Sequence, residues 1–122
     1  MALNLQVSTS DNIAVVLCRG RIVFGEEADE LRRVILGLLN ETKNIVLNFA
    51  WVGQVDSSGL GTLVASFISA RHHGAKIKFA APSLAARKVL RTTRVDGLFE
   101  IYDSTDDALK SFRPPPNIAA AA

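Results

Sequence analysis

The 122-residue sequence has few of the features that mark exported, membrane-spanning or metal-binding proteins. Cys18 is the single cysteine, which excludes an intramolecular disulfide, and no cysteine and histidine cluster has zinc-site spacing. The chain begins with neither a basic segment nor the apolar core of a signal peptide, and no run of about eighteen apolar residues occurs. We therefore expect a cytoplasmic protein with no metal site and no membrane association.

An excess of charge of one sign is also absent. Fourteen lysine and arginine residues face twelve aspartate and glutamate residues, so the formal net charge is +2. Such a small excess attracts a phosphate polymer weakly, and we expect no direct nucleic-acid binding. Aromatic residues make up only 7% of the chain, but 48% of the residues are hydrophobic, which is enough for a core of small aliphatic side chains.

Strand and helix patterns alternate along the chain. Four apolar or alternating segments after the first hairpin strand predict strands, over 13–18, 45–49, 75–80 and 98–102. Apolar residues at helical spacing predict helices between and after these strands. This order predicts an α/β fold: a mixed, mostly parallel sheet with an antiparallel N-terminal edge hairpin and about four helices.

The length fits a single domain, which we place at residues 1–112. Pro114 to Pro116 cannot continue a helix, so the sequence predicts a disordered Pro/Ala-rich tail over 113–122. A short loop that contains Trp51 is expected between Phe49 and Val55.

The run Asp56-Ser57-Ser58-Gly59 joins a predicted buried strand to the start of a predicted helix. On its own, such a tetrapeptide is typical of an N-cap, which stabilises a helix by about 1 kcal/mol. The position of the motif supports a functional role more strongly than the tetrapeptide alone does, because ligands and partners of open α/β sheets bind outside the carboxyl ends of the strands.

The sequence over 44–49, the short connection to Val55, and the run Asp56-Ser57-Ser58-Gly59-Leu60-Gly61-Thr62-Leu63 together resemble the signature of STAS domains. The resemblance is strongest to bacterial anti-sigma factor antagonists. It covers roughly residues 3–112 and includes Gly20 after the second strand and the closing segment 98–102. It implies a mixed sheet packed with helices, which agrees with the predicted element order.

The resemblance implies regulation by reversible binding and no catalysis. The unphosphorylated antagonist binds an anti-sigma factor that is also an ATP-dependent serine kinase. The kinase phosphorylates the second serine of the motif, which corresponds to Ser58, and a serine phosphatase resets the cycle. Asp56 matches the family's acidic residue, while Ser57 and Gly59 shape the turn that exposes the hydroxyl.

The sequence departs from the antagonists after Gly20. They commonly carry an acidic residue in this loop, where this chain has Val23 and Phe24. Phe24 and Trp51 would form an aromatic contact patch near Ser58, or cover the core. The residues predicted for partner binding and switching are Asp56, Ser57, Gly59, Val23, Phe24, Trp51 and Thr62, around Ser58 as the phosphorylation site.

Two alternatives stay open at this point. The motif could serve only as a helix cap in a phosphorylation-independent STAS module for a protein regulator or a small anionic or nucleotide ligand. A serine hydrolase would need a base near Ser58, but His72 is fourteen residues further along the same predicted helix, or about 21 Å away. No nucleophile elbow or nucleotide-binding fingerprint is present, so we expect no catalytic residue and no cofactor.

Overall fold

The computed structural model describes residues 3–94 and 97–113. Its strands are β1 (Asn4–Ser10), β2 (Ile13–Ile22), β3 (Asn44–Val55), β4 (Lys76–Ala80) and β5 (Glu100–Tyr102). Its helices are α1 (Glu26–Leu39), α2 (Ser57–His72), α3 (Leu84–Thr92) and α4 (Thr105–Ser111). The predicted α/β element order is confirmed.

The strands form one mixed sheet in the order β1-β2-β3-β4-β5. β1 is antiparallel to β2, and the other neighbouring pairs are parallel, with α1, α2 and α3 as the crossover helices. Asp11 and Asn12 connect β1 to β2 with φ angles of 52° and 65°. Such left-handed residues let a two-residue turn match the twist of a hairpin. The predicted antiparallel N-terminal edge is therefore confirmed.

Two apolar layers hold the helices on the sheet. The larger layer joins β2, β3 and β4 to α1, α2 and α3, and the smaller one joins the opposite face of the sheet to α4. In the larger layer the Phe79 ring lies 5.1 Å from the Phe49 ring and 4.7 Å from the Phe99 ring. Cys18 is fully buried in the same layer, and burial raises the pKa of its thiol to about 12, as expected of a core residue.

The prediction of a loop between Phe49 and Val55 is wrong. β3 continues to Val55 because β2 also continues and keeps pairing with it, from Arg19 opposite Trp51 to Ile22 opposite Val55. Register shifts occur twice along this extension, and such bulges disrupt the regular alternation that identifies a strand. Trp51 consequently lies in a strand and not in a loop.

The last described helix is fixed at both ends. The Ser104 hydroxyl accepts a hydrogen bond from the Asp107 amide at 3.0 Å and caps α4. Beyond α4, the Arg113 guanidinium pairs with the Asp11 carboxylate at 2.7 Å. The rest of the predicted tail, 114–122, lies outside the described residues. Within the described part of the chain, no helix is long and apolar enough to cross a membrane.

Candidate functional site

Asp56 connects the start of α2 to the loop that precedes α1. Its Oδ1 accepts a hydrogen bond from the Gly59 amide at 2.8 Å, and its Oδ2 accepts one from the Phe24 amide at 3.0 Å. These two bonds, that from Gly59 first, hold the pKa of the Asp56 carboxyl below its usual range. Asp56 is therefore the N-cap of α2, and it also fixes the position of Phe24.

Gly59 allows the first turn of α2 to lie directly on the end of β2. A Cβ atom at this position would lie 1.9 Å from the Ile22 carbonyl oxygen, closer than any side chain can approach. The same oxygen accepts a hydrogen bond from the Asp56 amide at 3.3 Å. Only glycine fits this contact without a shift of the backbone, which explains the glycine after the two serines.

The two serines of the motif face different grooves. Ser58 is half-buried and lines an open groove of about 430 Å³ between α1 and α2, called here the α1–α2 groove. Its lining residues are Phe24, Gly25, Ala28, Asp29, Arg32, Ser58, Gly61, Thr62 and Ala65. Ser57 is exposed and lines an open groove of about 340 Å³ between α2 and α3, called here the α2–α3 groove. Its lining residues are Val55, Asp56, Ser57, Leu60, Lys88, Val89, Thr92 and Thr93.

The structure brings most of the predicted site residues to these grooves, but not all of them. Phe24 and Thr62 share the α1–α2 groove with Ser58, and the Phe24 side chain is 79% exposed. Val23 is half-buried and lines neither groove; its carbonyl oxygen accepts a hydrogen bond from the Ala28 amide.

Trp51 also lines neither groove, although its side chain is 66% exposed. The next residue, Val52, packs into the larger apolar layer. The groove that Phe24 and Ser58 share therefore does not include Trp51.

Sequence reasoning did not identify several residues that line the grooves. Asp29 and Arg32 line the α1–α2 groove, and Lys88 lines the α2–α3 groove. Their role depends on how α1 and α3 pack beside α2, and no local sequence pattern encodes that packing. The two histidines lie at the far end of α2, where the His73 ring contacts the Ser69 carbonyl oxygen at 2.8 Å. Neither histidine lines the α1–α2 groove or the α2–α3 groove.

The model of the STAS domain family matches residues 4–108. The chain belongs to the STAS domain family. The match extends over every strand and over most of α4, so the family assignment rests on the whole fold and not on the serine motif alone. The resemblance noted in the sequence is thereby confirmed.

Solved structures share this STAS fold. An anti-sigma factor antagonist from Mycobacterium paratuberculosis is 24% identical, with a TM-score of 0.82 over 93% of this chain and 96% of that one. The phosphorylated Bacillus cell fate determinant SpoIIAA is 18% identical, with a TM-score of 0.71 over 90% of this chain and 100% of that one. A sulfate transporter family protein from Wolinella succinogenes is 21% identical, with a TM-score of 0.71 over 85% and 87%. These likenesses establish the fold, which antagonists and a transporter-family protein share.

Proposed function

We propose that this STAS domain is an anti-sigma factor antagonist. In this proposal it binds an anti-sigma factor that is also a serine kinase, and phosphorylation of Ser58 switches the binding off. The observation that carries the proposal is the placement of Ser58 in the α1–α2 groove, at the start of a helix that Asp56 caps and Gly59 fixes on β2. The phosphorylated SpoIIAA structure supports it, because that fold carries the modification.

A phosphate on Ser58 would change the charge of the groove more than its shape. It adds about −1.5 to −2 charges at pH 7, close to Asp56 in the same turn and to Asp29 across the groove. The added charge is costly to desolvate in a docked interface, so it expels the partner. The free amides and dipole at the N-terminus of α2 favour the anion, so the domain itself stays folded.

Phe24 is the proposed aromatic anchor of the interface. Its side chain is 79% exposed and lines the same groove as Ser58, and its backbone is held by Asp56. Exposed aromatic residues that dock into a partner pocket contribute much of the binding energy of many interfaces. A partner that covers Phe24 would also cover Ser58, which explains how one phosphate could release it.

In this proposal the protein has no catalytic residue of its own. It is the substrate of the kinase and of a serine phosphatase that restores Ser58, and it acts in the cytoplasm where ATP is present. No cofactor is needed, because the work of the protein is reversible binding.

A second candidate function is phosphorylation-independent binding of a protein regulator or of a small anionic or nucleotide ligand. The α2–α3 groove favours it, because Lys88 and the Ser57 hydroxyl border apolar side chains there. Val23 and Phe24, in place of an acidic residue, also favour a partner other than an ordinary antagonist's kinase. This candidate places the binding surface beside Ser57 instead of Ser58.

The two candidates differ in what ATP and a kinase do to the protein. The protein is incubated with a candidate anti-sigma factor kinase and ATP, and any phosphate is mapped by mass spectrometry. Phosphate is expected on Ser58, absent in Ser58→Ala and retained in the matched Ser57→Ala variant. Binding is then compared for the wild type, Ser58→Ala and Ser58→Asp. If no phosphate appears on Ser58 and both variants bind like the wild type, the switch is excluded and the second candidate is favoured.

A further inference from the structure

Arg32 and Ser58 face the same groove from different helices. Both line the α1–α2 groove, Arg32 from the second turn of α1 and Ser58 from the first turn of α2. α1 and α2 pack against each other, and each follows one of the paired parallel strands β2 and β3. The two helices therefore run side by side in the same direction, with their N-termini at the same end of the sheet.

The usual direction of helical side chains allows the Arg32 guanidinium to lie at the level of the first turn of α1. Long side chains in a helix lean toward the helix N-terminus, over the preceding turn. Arg32 thus leans toward the turn that holds Ala28 and Asp29, which line the same groove as Ser58. Two small residues, Gly25 and Ala28, line the groove on the α1 side, together with Phe24. A long side chain has space to cross it.

The charges near Arg32 leave its guanidinium available for a new partner. Its neighbour Arg33 pairs with Glu30, and Arg21 lies 4.0 Å from Glu27. Among residues 3–94 and 97–113, no ion pair includes Arg32, although Asp29 lines the same groove.

We infer that Arg32 receives the phosphate of Ser58 by pairing with it across the α1–α2 groove. This inference rests on the proposed modification of Ser58. Guanidinium binds phosphate with two parallel hydrogen bonds, and such charge-assisted bonds are short and strong. In the unphosphorylated protein, Arg32 is instead a cation beside Phe24 that an acidic partner surface can contact. Phosphorylation then acts twice, because it adds negative charge to the groove and withdraws Arg32 from the partner.

The pairing is testable on a chain that carries phosphoserine at position 58 by co-translational incorporation, without any kinase. A ³¹P NMR titration follows the second ionisation of the phosphate. Asp29 in the groove and Asp56 in the same turn raise the phosphate pKa, whereas Arg32 lowers it, because a cation favours the dianion. We expect Arg32→Gln to raise the phosphate pKa by about 0.5 or more. Arg32→Lys is expected to keep part of the difference, because it keeps the charge but not the paired geometry.

Two matched controls distinguish a specific pairing of Arg32 with the phosphate from the effect of any nearby positive charge. Arg33→Gln removes the same charge from the next residue, which lines a different depression of the surface, and should leave the phosphate pKa nearly unchanged. In a chain with phosphoserine at position 57, which faces the other groove, Arg32→Gln should also have little effect. Equal pKa changes for Arg32→Gln and Arg33→Gln, or none for Arg32→Gln, would overturn the inference.

The same experiment distinguishes this inference from the proposed function. Because the phosphoserine is installed during synthesis, the titration measures the pairing whether or not any kinase modifies Ser58. A kinase assay that leaves Ser58 unmodified would contradict the proposed function but would not affect the conclusion on the pairing of Arg32 with the phosphate. Conversely, a normal kinase reaction with no change in the phosphate pKa for Arg32→Gln would contradict only the role of Arg32.

Discussion

The α1–α2 groove and the α2–α3 groove lie on either side of one helix, yet they present different chemistry. The α1–α2 groove combines Ser58 with an exposed aromatic ring, a cation and an anion, from Phe24, Arg32 and Asp29. The α2–α3 groove combines Ser57 with the apolar side chains of Leu60 and Val89, and with Lys88. Adjacent serines therefore open onto different surroundings.

The helical period explains this separation. Neighbouring residues of an α-helix point in directions about 100° apart, so Ser57 and Ser58 face different neighbouring helices. A kinase that modifies one serine would place the phosphate opposite Arg32, and modification of the other would place it beside Lys88 and apolar side chains. The identity of the modified serine therefore decides which groove changes its charge.

The largest expected effect is a loss of stability. It concerns the contact between Gly59 and Ile22, which holds α2 on β2 between the two grooves. We expect Gly59→Ala to lower the free energy of unfolding by about 3 kcal/mol, because its Cβ would meet the backbone of Ile22 at 1.9 Å. Gly61→Ala is the matched control: nothing lies within 4 Å of the added Cβ, and alanine favours the helix by up to about 1 kcal/mol. Urea unfolding measures both. Equal stabilities for the two variants would show that the close contact between α2 and β2 is not needed.

A smaller effect, on binding, distinguishes the two grooves. Phe24→Ala is expected to weaken the proposed complex with an anti-sigma factor kinase about 30-fold, which corresponds to the loss of one aromatic anchor. Leu84→Ala is the control, because Leu84 is 88% exposed but lines neither groove. Isothermal titration calorimetry gives both affinities. A loss for Leu84→Ala with none for Phe24→Ala would move the interface away from the α1–α2 groove.

Asp56 links the two grooves through its hydrogen bonds to the Gly59 and Phe24 amides. The contribution of this residue to stability should depend on pH. Asp56→Ala is expected to cost about 1 kcal/mol of stability at pH 7, since it removes the cap of α2 and the bond to the Phe24 amide. The pKa of Asp56 is lowered on folding, so its contribution is complete above the unfolded value of about 3.9 and is lost as the pH falls through the folded value.

The difference between the wild type and Asp56→Ala should therefore shrink below about pH 4. Ser104→Ala serves as the control, because it removes the cap of α4 without removing a titratable group. Thermal unfolding at several pH values measures both differences. A cost of Asp56→Ala that stays constant down to pH 2 would contradict a role for the carboxylate charge.

The smallest effect is expected on folding when negative charge is added. Ser58→Asp and Ser57→Asp should each keep the unfolding free energy within about 0.5 kcal/mol of the wild type, because anions are favourable at a helix N-terminus. Differential scanning calorimetry is sensitive enough to detect a larger change. A large fall in Tm for Ser58→Asp would mean that loss of binding reports unfolding and not a switch.

Most of the fold could be predicted from the sequence because local patterns dominate it. The apolar stripe that ends at Leu39 and the continuous run from Ile13 each identify one element without help from distant residues. The extension of β3 through Trp51 could not be predicted in the same way. It depends on pairing with Arg19 across two register shifts, and alternation fails there.

The site could be predicted only in part. The run from Asp56 to Gly59 is contiguous, so its capping geometry follows from the sequence alone. The bond from the Phe24 amide to Asp56 joins residues that are 32 positions apart, and the place of Arg32 opposite Ser58 depends on the packing of α1 beside α2. Such contacts come from the tertiary structure and leave no local pattern.

The most direct measurement compares three forms of the protein for binding to the proposed partner, an anti-sigma factor kinase: unmodified, phosphoserine at position 58 and phosphoserine at position 57. A central role for the α1–α2 groove predicts that phosphoserine at position 58 weakens binding about 100-fold, by burying an uncompensated charge in the interface. Phosphoserine at position 57 is expected to weaken it far less. Equal affinities for all three forms, or a greater loss for phosphoserine at position 57, would contradict a switch at Ser58.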